Sequence, residues 1–547
     1  MNDFSPRSTG RQALWAAACA FLALSVASCV RESAAATPQH PNVLLISVDT
    51  LRADHLGSYG YQRATSPQLD ALAESGVRFE NAYSSSSWTL PAHMTLLTGL
   101  PVSGHGVCDD QLFNRRTPDG LHQPVARRGH FLSELLAGRG YRTAGFYSWK
   151  YLEPQFGFGP GFETYERLGH TFYSYEPVWT EFQRLQEAGD REGMKALAAK
   201  HPKLFDPTTP SSAEIVDAGI EWIEGVTKAD GDKPFFAFLH LFDVHDPYTP
   251  PAPYDRMFDP DYEGPIDGTR VTSNASPVQP DMAPEDLAHL IALYDGEIAW
   301  VDAQLGRLFA RLDELGLAEN TIIAVVSDHG EEFFEHGAKT HRNNLHVETI
   351  HVPWILRWPG GLEAGVEVDV SVGLEDVAPT LFGLCGLGIM PGAAGADLSP
   401  ALRSEEAFAD REIWSELLHF EQPGTPRLEV SLRHGDRSTL RGARGTSFES
   451  LETFDLATDA GELDATRFTI DAEAARNFKL ALDSLRTRLV AVRSRLPLVW
   501  LGAESALDSA DLAELASMGY TGVASDLYGS REAAGDTLCV DGCVWDH

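Results

Sequence analysis

The sequence predicts an α/β protein: a mainly parallel central sheet flanked by helices, with a smaller C-terminal α+β subdomain. Three observations carry this. Three unbroken apolar runs, Asn42 to Val48, Pro234 to His240 and Thr321 to Ser327, lack the alternation of half-exposed strands and suit strands buried on both faces. A long helical pattern runs from Pro284 to Leu317, with Leu287, Leu290, Ile291, Tyr294, Ile298, Val301, Leu305 and Leu308 at helical spacing. Strands and helices alternate along the chain, which is how a parallel sheet is built. After Pro400 the pattern changes: short candidate strands at Arg411 to Leu418 and Leu428 to Arg433 lead to a helix near Ala472 to Leu496.

Between the strands, the stretch from about Pro160 to Pro280 is irregular. Its Pro-rich part (Pro247 to Pro253) and polar part (Gly264 to Pro280) read as active-site loops and insertions. The chain divides into residues 1–28, 29–41, 42–400, 401–500 and 501–547: a signal, a linker, a catalytic domain, a C-terminal subdomain and a tail. Arg7 and Arg11 precede an apolar stretch, Ala13 to Val26, too short for a stable transmembrane helix. It ends in Val26-Ala27-Ser28-Cys29, which resembles a bacterial lipobox. The expectation is export to the periplasmic or cell-surface face, with Cys29 lipid-anchored as the only attachment to a membrane.

Net charge over the 547 residues is −36. An acidic surface of this size argues against nucleic acid or an anionic membrane as the main partner. A site for anions must therefore gather positive charge locally. Of the cysteines, Cys108 and Cys385 read as buried thiols, while Cys539 and Cys543 are spaced for a small disulfide in an oxidising compartment.

Two of the apolar runs end in an aspartate, Asp49 and Asp328, and ligands in open α/β sheets bind beyond the carboxyl ends of the strands. Asp328-His329-Gly330-Glu331 offers an oxygen and a nitrogen ligand on one turn; alone it is equally a capped turn. In Ser87-Trp88-Thr89-Leu90-Pro91-Ala92-His93, Pro91 marks a helix start and Thr89 lies before it as a cap. An alcohol there faces the helix amides, where an attacked oxyanion is stabilised. The plainer reading is a structural N-cap.

These blocks occur in order with others: Asn42 to Tyr61, Trp88 to Gly99, His105-Gly106-Val107, Gly140 to Ala144, Ser327 to Glu332, Val352 to Gly360, Asp376 to Thr380 and Met518-Gly519-Tyr520. Together they resemble the sulfatase family of the alkaline phosphatase superfamily, over roughly residues 42 to 520. The resemblance implies an ester hydrolase using one divalent ion (Ca, Mn, Zn or Mg) held by Asp49, Thr89, Asp328 and His329. It places Thr89 as nucleophile and His245 and His341 as catalytic histidines near the leaving oxygen.

The chain departs from the family at three points. Sulfatases open the nucleophile motif with Cys or Ser, which is converted to formylglycine, and carry Arg four residues on. Here those places hold Thr89 and His93. Where sulfatases supply two adjacent aspartates, this chain has Asp49-Thr50. The family's lysine and histidine near Trp149 are replaced, leaving Lys150, Lys339 and Arg342 as rival anion-binding residues. The expected reaction is cleavage of a sulfuric or phosphoric/phosphonic ester in an anionic small-molecule, glycan or lipid substrate, with the phosphorus ester slightly favoured. The alternatives are a sulfuric ester hydrolase without formylglycine, a phosphoglycerol- or phosphoethanolamine-type transferase, and an inactive surface-binding protein on the same fold.

Overall fold

Strand β1 (Asn42–Val48) is buried at every residue, because it lies at the centre of a sheet covered on both faces. In the computed structural model, which describes residues 40–108, 125–169, 178, 181, 184–185, 190–201, 211–231, 233–269, 271–272, 276–421, 425–444, 447–463, 466–468 and 498–501, eight strands form that sheet. They are β1, β2 (Val77–Tyr83), β3 (Arg142–Tyr147), β4 (Thr164–Arg167), β5 (Phe235–Leu241), β6 (Thr321–Ser327), β7 (Trp354–Arg357) and β8 (Val366–Gly373), in the order β8-β2-β7-β6-β1-β5-β3-β4. The ladders beside β7 are antiparallel and every other one is parallel. A mainly parallel sheet buried on both faces is the architecture that the apolar runs predict.

Alternate residues of β1 feed two cores. Val43 and Leu45 join one, and Leu44, Ile46 and Val48 the other. The second core is covered by α1 (Pro67–Glu74), α3 (Ser212–Asp230) and α4 (Pro284–Glu314), and the first by α2 (Thr89–Thr98) and α5 (Val377–Leu384). In α4, Leu290, Tyr294, Ile298, Val301, Leu305 and Leu308 are buried, whereas Leu287 and Ile291 are only partly so. The apolar stripe was therefore legible one turn too generously at its start.

The segment from Pro160 to Pro280 is less irregular than its proline content suggests. It contains β4, the 19-residue α3 and the helix Arg191–Lys200. The helical signal in α3 was present: Ile215, Val216, Ile223 and Val226 lie on one face and are buried against the sheet.

Beyond residue 400 an antiparallel sheet forms from β9 (Ile413–Glu421), β10 (Thr425–His434), β11 (Arg437–Arg444), β12 (Ser447–Asp455) and β13 (Thr466–Phe468). The expected helix at 472–496, Met518 to Tyr520, the signal, Cys29, Cys539 and Cys543 lie outside the described residues. Among the described residues no helix is long and apolar enough to cross a membrane, and Cys108 and Cys385 are buried.

The second sheet grips the loops around the strand ends of the first. The Ser415 hydroxyl donates to Ser84 O at 2.6 Å, Glu416 N to Ser85 O at 2.8 Å and Leu345 N to Glu429 Oε1 at 2.7 Å. Glu462 is the firmest tie. Its carboxylate accepts from Arg433 Nη2 at 2.7 Å and from Val347 N at 2.9 Å, with His346 Nδ1 at 3.3 Å. Burial acts to raise its pKa, but Arg433 and His346 overcome this and hold it at about 2. A depressed carboxylate contributes stability above its unfolded value near 4.5 and loses it as pH falls through the folded value. Replacing Glu462 with Gln is therefore expected to lower stability by about 3 kcal/mol at pH 7. In thermal unfolding, the deficit should shrink between about pH 4.5 and pH 2.

Candidate active site

The register brings the carboxyl ends of three strands together. Val48 of β1 pairs with Leu241 of β5 on one side and with Ser327 of β6 on the other. The residues that follow, Asp49 and Asp328, are thus neighbours across 279 positions of chain, and both are fully buried. Thr50 leaves β1 through the left-handed region, with φ at 54°, a strained conformation for a β-branched residue. It is held there by its carbonyl, which accepts from Tyr294 Oη at 2.7 Å, and by Leu51 N, which donates to Ser327 Oγ at 2.9 Å. The same turn aims Thr50 N at Asp328 Oδ1, 3.3 Å away.

Each aspartate has one oxygen committed to the protein. Asp49 Oδ2 faces His240 Nε2 at 3.1 Å, and Asp328 Oδ1 accepts from the amides of Thr50 and His329. The other oxygens, Asp49 Oδ1 and Asp328 Oδ2, have no hydrogen-bond partner. They lie 3.6 Å and 3.3 Å from His329 Nε2. His329 Nδ1 donates to Gly330 O at 3.0 Å, which turns the Nε2 lone pair toward the two carboxylates. The Thr89 hydroxyl is 3.4 Å from the same nitrogen. The donor atoms of Asp49, Asp328 and His329 all lie within 4.8 Å of one another. Two orphaned carboxylate oxygens and an imidazole lone pair, all buried, fit a divalent cation.

Electrostatics point the same way. Burial, and then the charge of Asp49, push Asp328 well above the usual carboxylate range. Asp49 falls to about 2: burial opposes this, but the His240 hydrogen bond and the charges of His245 and His329 outweigh it. Burial lowers His329 to about 4 and His93 to about 3, so both are neutral at pH 7.

Thr89 is the first residue of α2 rather than its cap. Trp88 occupies the cap position without a side-chain hydrogen bond, and Pro91 sits at the third position. Correcting the register by one residue keeps the hydroxyl at the amino end of the helix, where amides lack intrahelical acceptors. His93 lies one turn on. Its Nδ1 donates to Thr89 O at 2.9 Å, and its Nε2 accepts from Ser47 Oγ at 3.0 Å.

The structure brings His245 and His341 to the cluster of Asp49, Thr89, Asp328 and His329. His245 and His341 pack edge to face with centroids 4.8 Å apart, and His341 lies 4.5 Å from His329. Among the rival cations, Lys339 donates to Val278 O at 2.7 Å, and Lys150 is buried in the turn Lys150–Leu152. Arg342 lies over the Trp88 indole at 3.9 Å, with its amide donating to Ser87 O at 2.9 Å. Two participants escaped the sequence reading. His240 sits one residue inside β5, in an apolar run that draws no attention to it; its register partner, Ser47, lies two residues before Asp49. Glu331 stands out in the sequence only as part of the Asp328-His329-Gly330-Glu331 motif, yet it is buried against His341.

Residues 41–387, more than half of the chain, match the sulfatase family model. The chain belongs to the sulfatase family. An ulvan-active sulfatase of Formosa agariphila is 27% identical over 379 residues, covering 69% of this chain and 67% of that protein. An arylsulfatase of Clostridium perfringens is 24% identical over 471 residues, covering 77% and 89%. The crystal structure of the phosphonate monoester hydrolase of Agrobacterium radiobacter superposes with a TM-score of 0.60 at 25% identity, covering 82% of this chain and 96% of that one. This sulfatase-family member is accordingly an ester hydrolase.

Gly330 offers a test of how tightly the loop is built. A β-carbon there would meet Glu348 O at 2.0 Å. Gly330→Ala is expected to cost about 3 kcal/mol by overpacking, read as a lower unfolding midpoint, with activity falling alike on every substrate.

Proposed function

We propose that this protein is a metal-dependent hydrolase that cleaves a phosphoric or phosphonic ester through Thr89. The observation that carries the reading is the single hydroxyl of Thr89, 3.4 Å from His329 Nε2 at the head of α2. A formylglycine hydrate carries two hydroxyls on one carbon, so one can expel a group the other has taken. Threonine has one, and turnover then requires water to attack the transferred centre itself. A metal-assisted site supports that second attack at phosphorus, as in alkoxide-mediated phosphoryl transfer.

A divalent ion held by Asp49, Asp328, His329 and the Thr89 oxygen would supply the charge that favours the alkoxide and the equatorial oxygens. The remaining work falls to the chain. Thr89 Oγ1 attacks in line while the bond to the leaving oxygen breaks, and the first amides of α2 face the substrate oxyanion. His245 or His341 gives a proton to the leaving oxygen. Water then displaces Thr89 and returns that proton. Arg342, fixed over Trp88 beside the nucleophile, is the cation best placed to meet the substrate's remaining charge.

The second reading is a sulfuric ester hydrolase that works without formylglycine. It is favoured by the relatives named as sulfatases, the ulvan-active sulfatase and an endo-4-O-sulfatase of Bacteroides thetaiotaomicron, the latter 24% identical over 402 residues. The phosphonate monoester hydrolase favours the first. On either reading the substrate is an anionic ester. Export and tethering through Cys29 belong to the proposal on the strength of the signal-like sequence alone.

A panel of nitrophenyl sulfate, phosphate monoester, phosphate diester and phosphonate ester separates the two. The expected order puts the phosphate diester or phosphonate ester first, with Thr89→Ala at least ~10³-fold slower on all. A sulfate ester preferred over every phosphorus ester overturns the substrate assignment, and activity surviving in Thr89→Ala overturns the nucleophile.

A further inference from the structure

The turn that follows Asp49 holds a β-branched residue where its side chain disfavours it. Thr50 is fully buried and has φ at 54°, in the left-handed region that glycine enters freely and threonine does not. Left to itself, this turn would relax toward extended backbone and draw the Thr50 amide off Asp328 Oδ1, which it meets at 3.3 Å. Two hydroxyls prevent this by gripping opposite ends of the peptide between Thr50 and Leu51. Ser327 Oγ accepts from Leu51 N at 2.9 Å, and Tyr294 Oη donates to Thr50 O at 2.7 Å. The Tyr294 hydroxyl is used twice, because it also accepts from Arg52 N at 3.0 Å. Arg52 in turn sends Nη1 to Glu331 O at 3.0 Å, tying the turn to the loop that follows His329. The Tyr294 ring is fixed as well. It is fully buried on α4 and packs edge to face against His55, Tyr248 and Phe333, with centroids 5.1, 5.6 and 5.1 Å away.

We propose that Tyr294 is a positioning residue for the cation site: its hydroxyl holds Thr50 in the left-handed turn, which keeps the Thr50 amide on Asp328 Oδ1 and leaves Oδ2 to the ion. The inference rests on the reading of Asp49, Asp328 and His329 as metal-binding residues. Asp328 Oδ1 takes two amides, Thr50 N and His329 N, and together they fix how the carboxylate is turned. With one of them lost the carboxylate can rotate. A smaller fraction of the metal-free protein then has the cradle formed, and affinity falls by that fraction. Of the two hydroxyls, Ser327 adjoins Asp328 in sequence and also donates to His329 O at 2.7 Å, so its removal disturbs the ligands directly. Tyr294 belongs to a helix that supplies none of them, and it reaches them through the turn.

The test measures metal binding itself. Chelator-stripped wild-type protein is titrated by calorimetry with Mn²⁺, Zn²⁺, Ca²⁺ and Mg²⁺ in turn. The ion bound tightest is then titrated into Tyr294→Phe, Thr50→Gly and the double variant that combines them. Tyr294→Phe is expected to weaken binding by about tenfold and to shrink the rise in unfolding midpoint that the ion brings. Thr50→Gly removes the strain that the hydroxyl opposes. Adding Tyr294→Phe to Thr50→Gly is therefore expected to weaken binding by no more than about threefold. A merely structural tyrosine would lower the unfolding midpoint equally with and without the ion and leave the affinity unchanged. That result in Tyr294→Phe overturns the proposal, and so does a loss of affinity as large beside Thr50→Gly as beside the wild type. Should Tyr294→Phe not fold, the double variant decides: folding and ion binding regained there support the proposal, and a double variant that stays unfolded overturns it. A wild type that binds none of the four ions overturns the metal reading itself and the proposal with it, whereas wild-type binding left unchanged in Tyr294→Phe overturns the proposal alone.

Discussion

Two carboxylates buried side by side set the terms for everything around them. Asp49 and Asp328 end adjacent parallel strands with no water-exposed surface, and each keeps one oxygen without a partner. At the separation the donor atoms allow, two full charges in a medium of effective dielectric ~20 repel by about 3–4 kcal/mol. Desolvation of each adds to that. Nothing in the fold forces this on the chain except the register of β1 and β6, so the surroundings have to answer it. They do so with neutral imidazoles, amide donors and a geometry fitted to a cation. The strained Thr50 turn belongs to the same answer, because it delivers an amide to Asp328 where the family's second aspartate would add a further negative charge.

The two family positions changed here are therefore connected. Removing the second aspartate takes a negative charge from the cluster, and replacing the motif arginine with His93 takes away a positive one. His93 is neutral and occupied by Thr89 O and Ser47, so it fills the arginine's place as packing and hydrogen bonding rather than as charge. On the proposed reading of Thr89, a site altered in this paired way keeps its charge balance while exchanging a two-hydroxyl nucleophile for a one-hydroxyl one. This links the Thr89 departure to its setting and not only to its position in a motif.

Much of this was legible from residues whose signals coincide. Asp49 and Asp328 follow unbroken apolar runs, which fixes them at strand ends, and His329 comes with its neighbour. Thr89 was legible as to place but not register: Pro91 permits a helix start one to three residues earlier, and only the backbone shows that Trp88 is the cap. His240 was hidden because a strand's interior residues are read for hydrophobicity, and a histidine one position from the end interrupts nothing. Glu331 was hidden for a different reason. Its partner lies ten residues on, across a turn held by two non-glycine residues in the left-handed region, which no periodicity announces. Helix α3 was obscured by the proline-rich flanks of its segment, although its apolar spacing was sound.

The carboxylate pair of Asp49 and Asp328 can be tested directly. The direct measurement is the divalent metal content of the purified protein, with thermal unfolding of the wild type and Asp328→Asn recorded before and after chelation. About one ion per chain is expected in the wild type, with a lower unfolding midpoint once it is removed. Asp328→Asn should carry far less metal, and its midpoint should be insensitive to chelator. A wild-type protein that retains no ion and unfolds at the same temperature with or without chelator would contradict the claim that this pair is built around a cation.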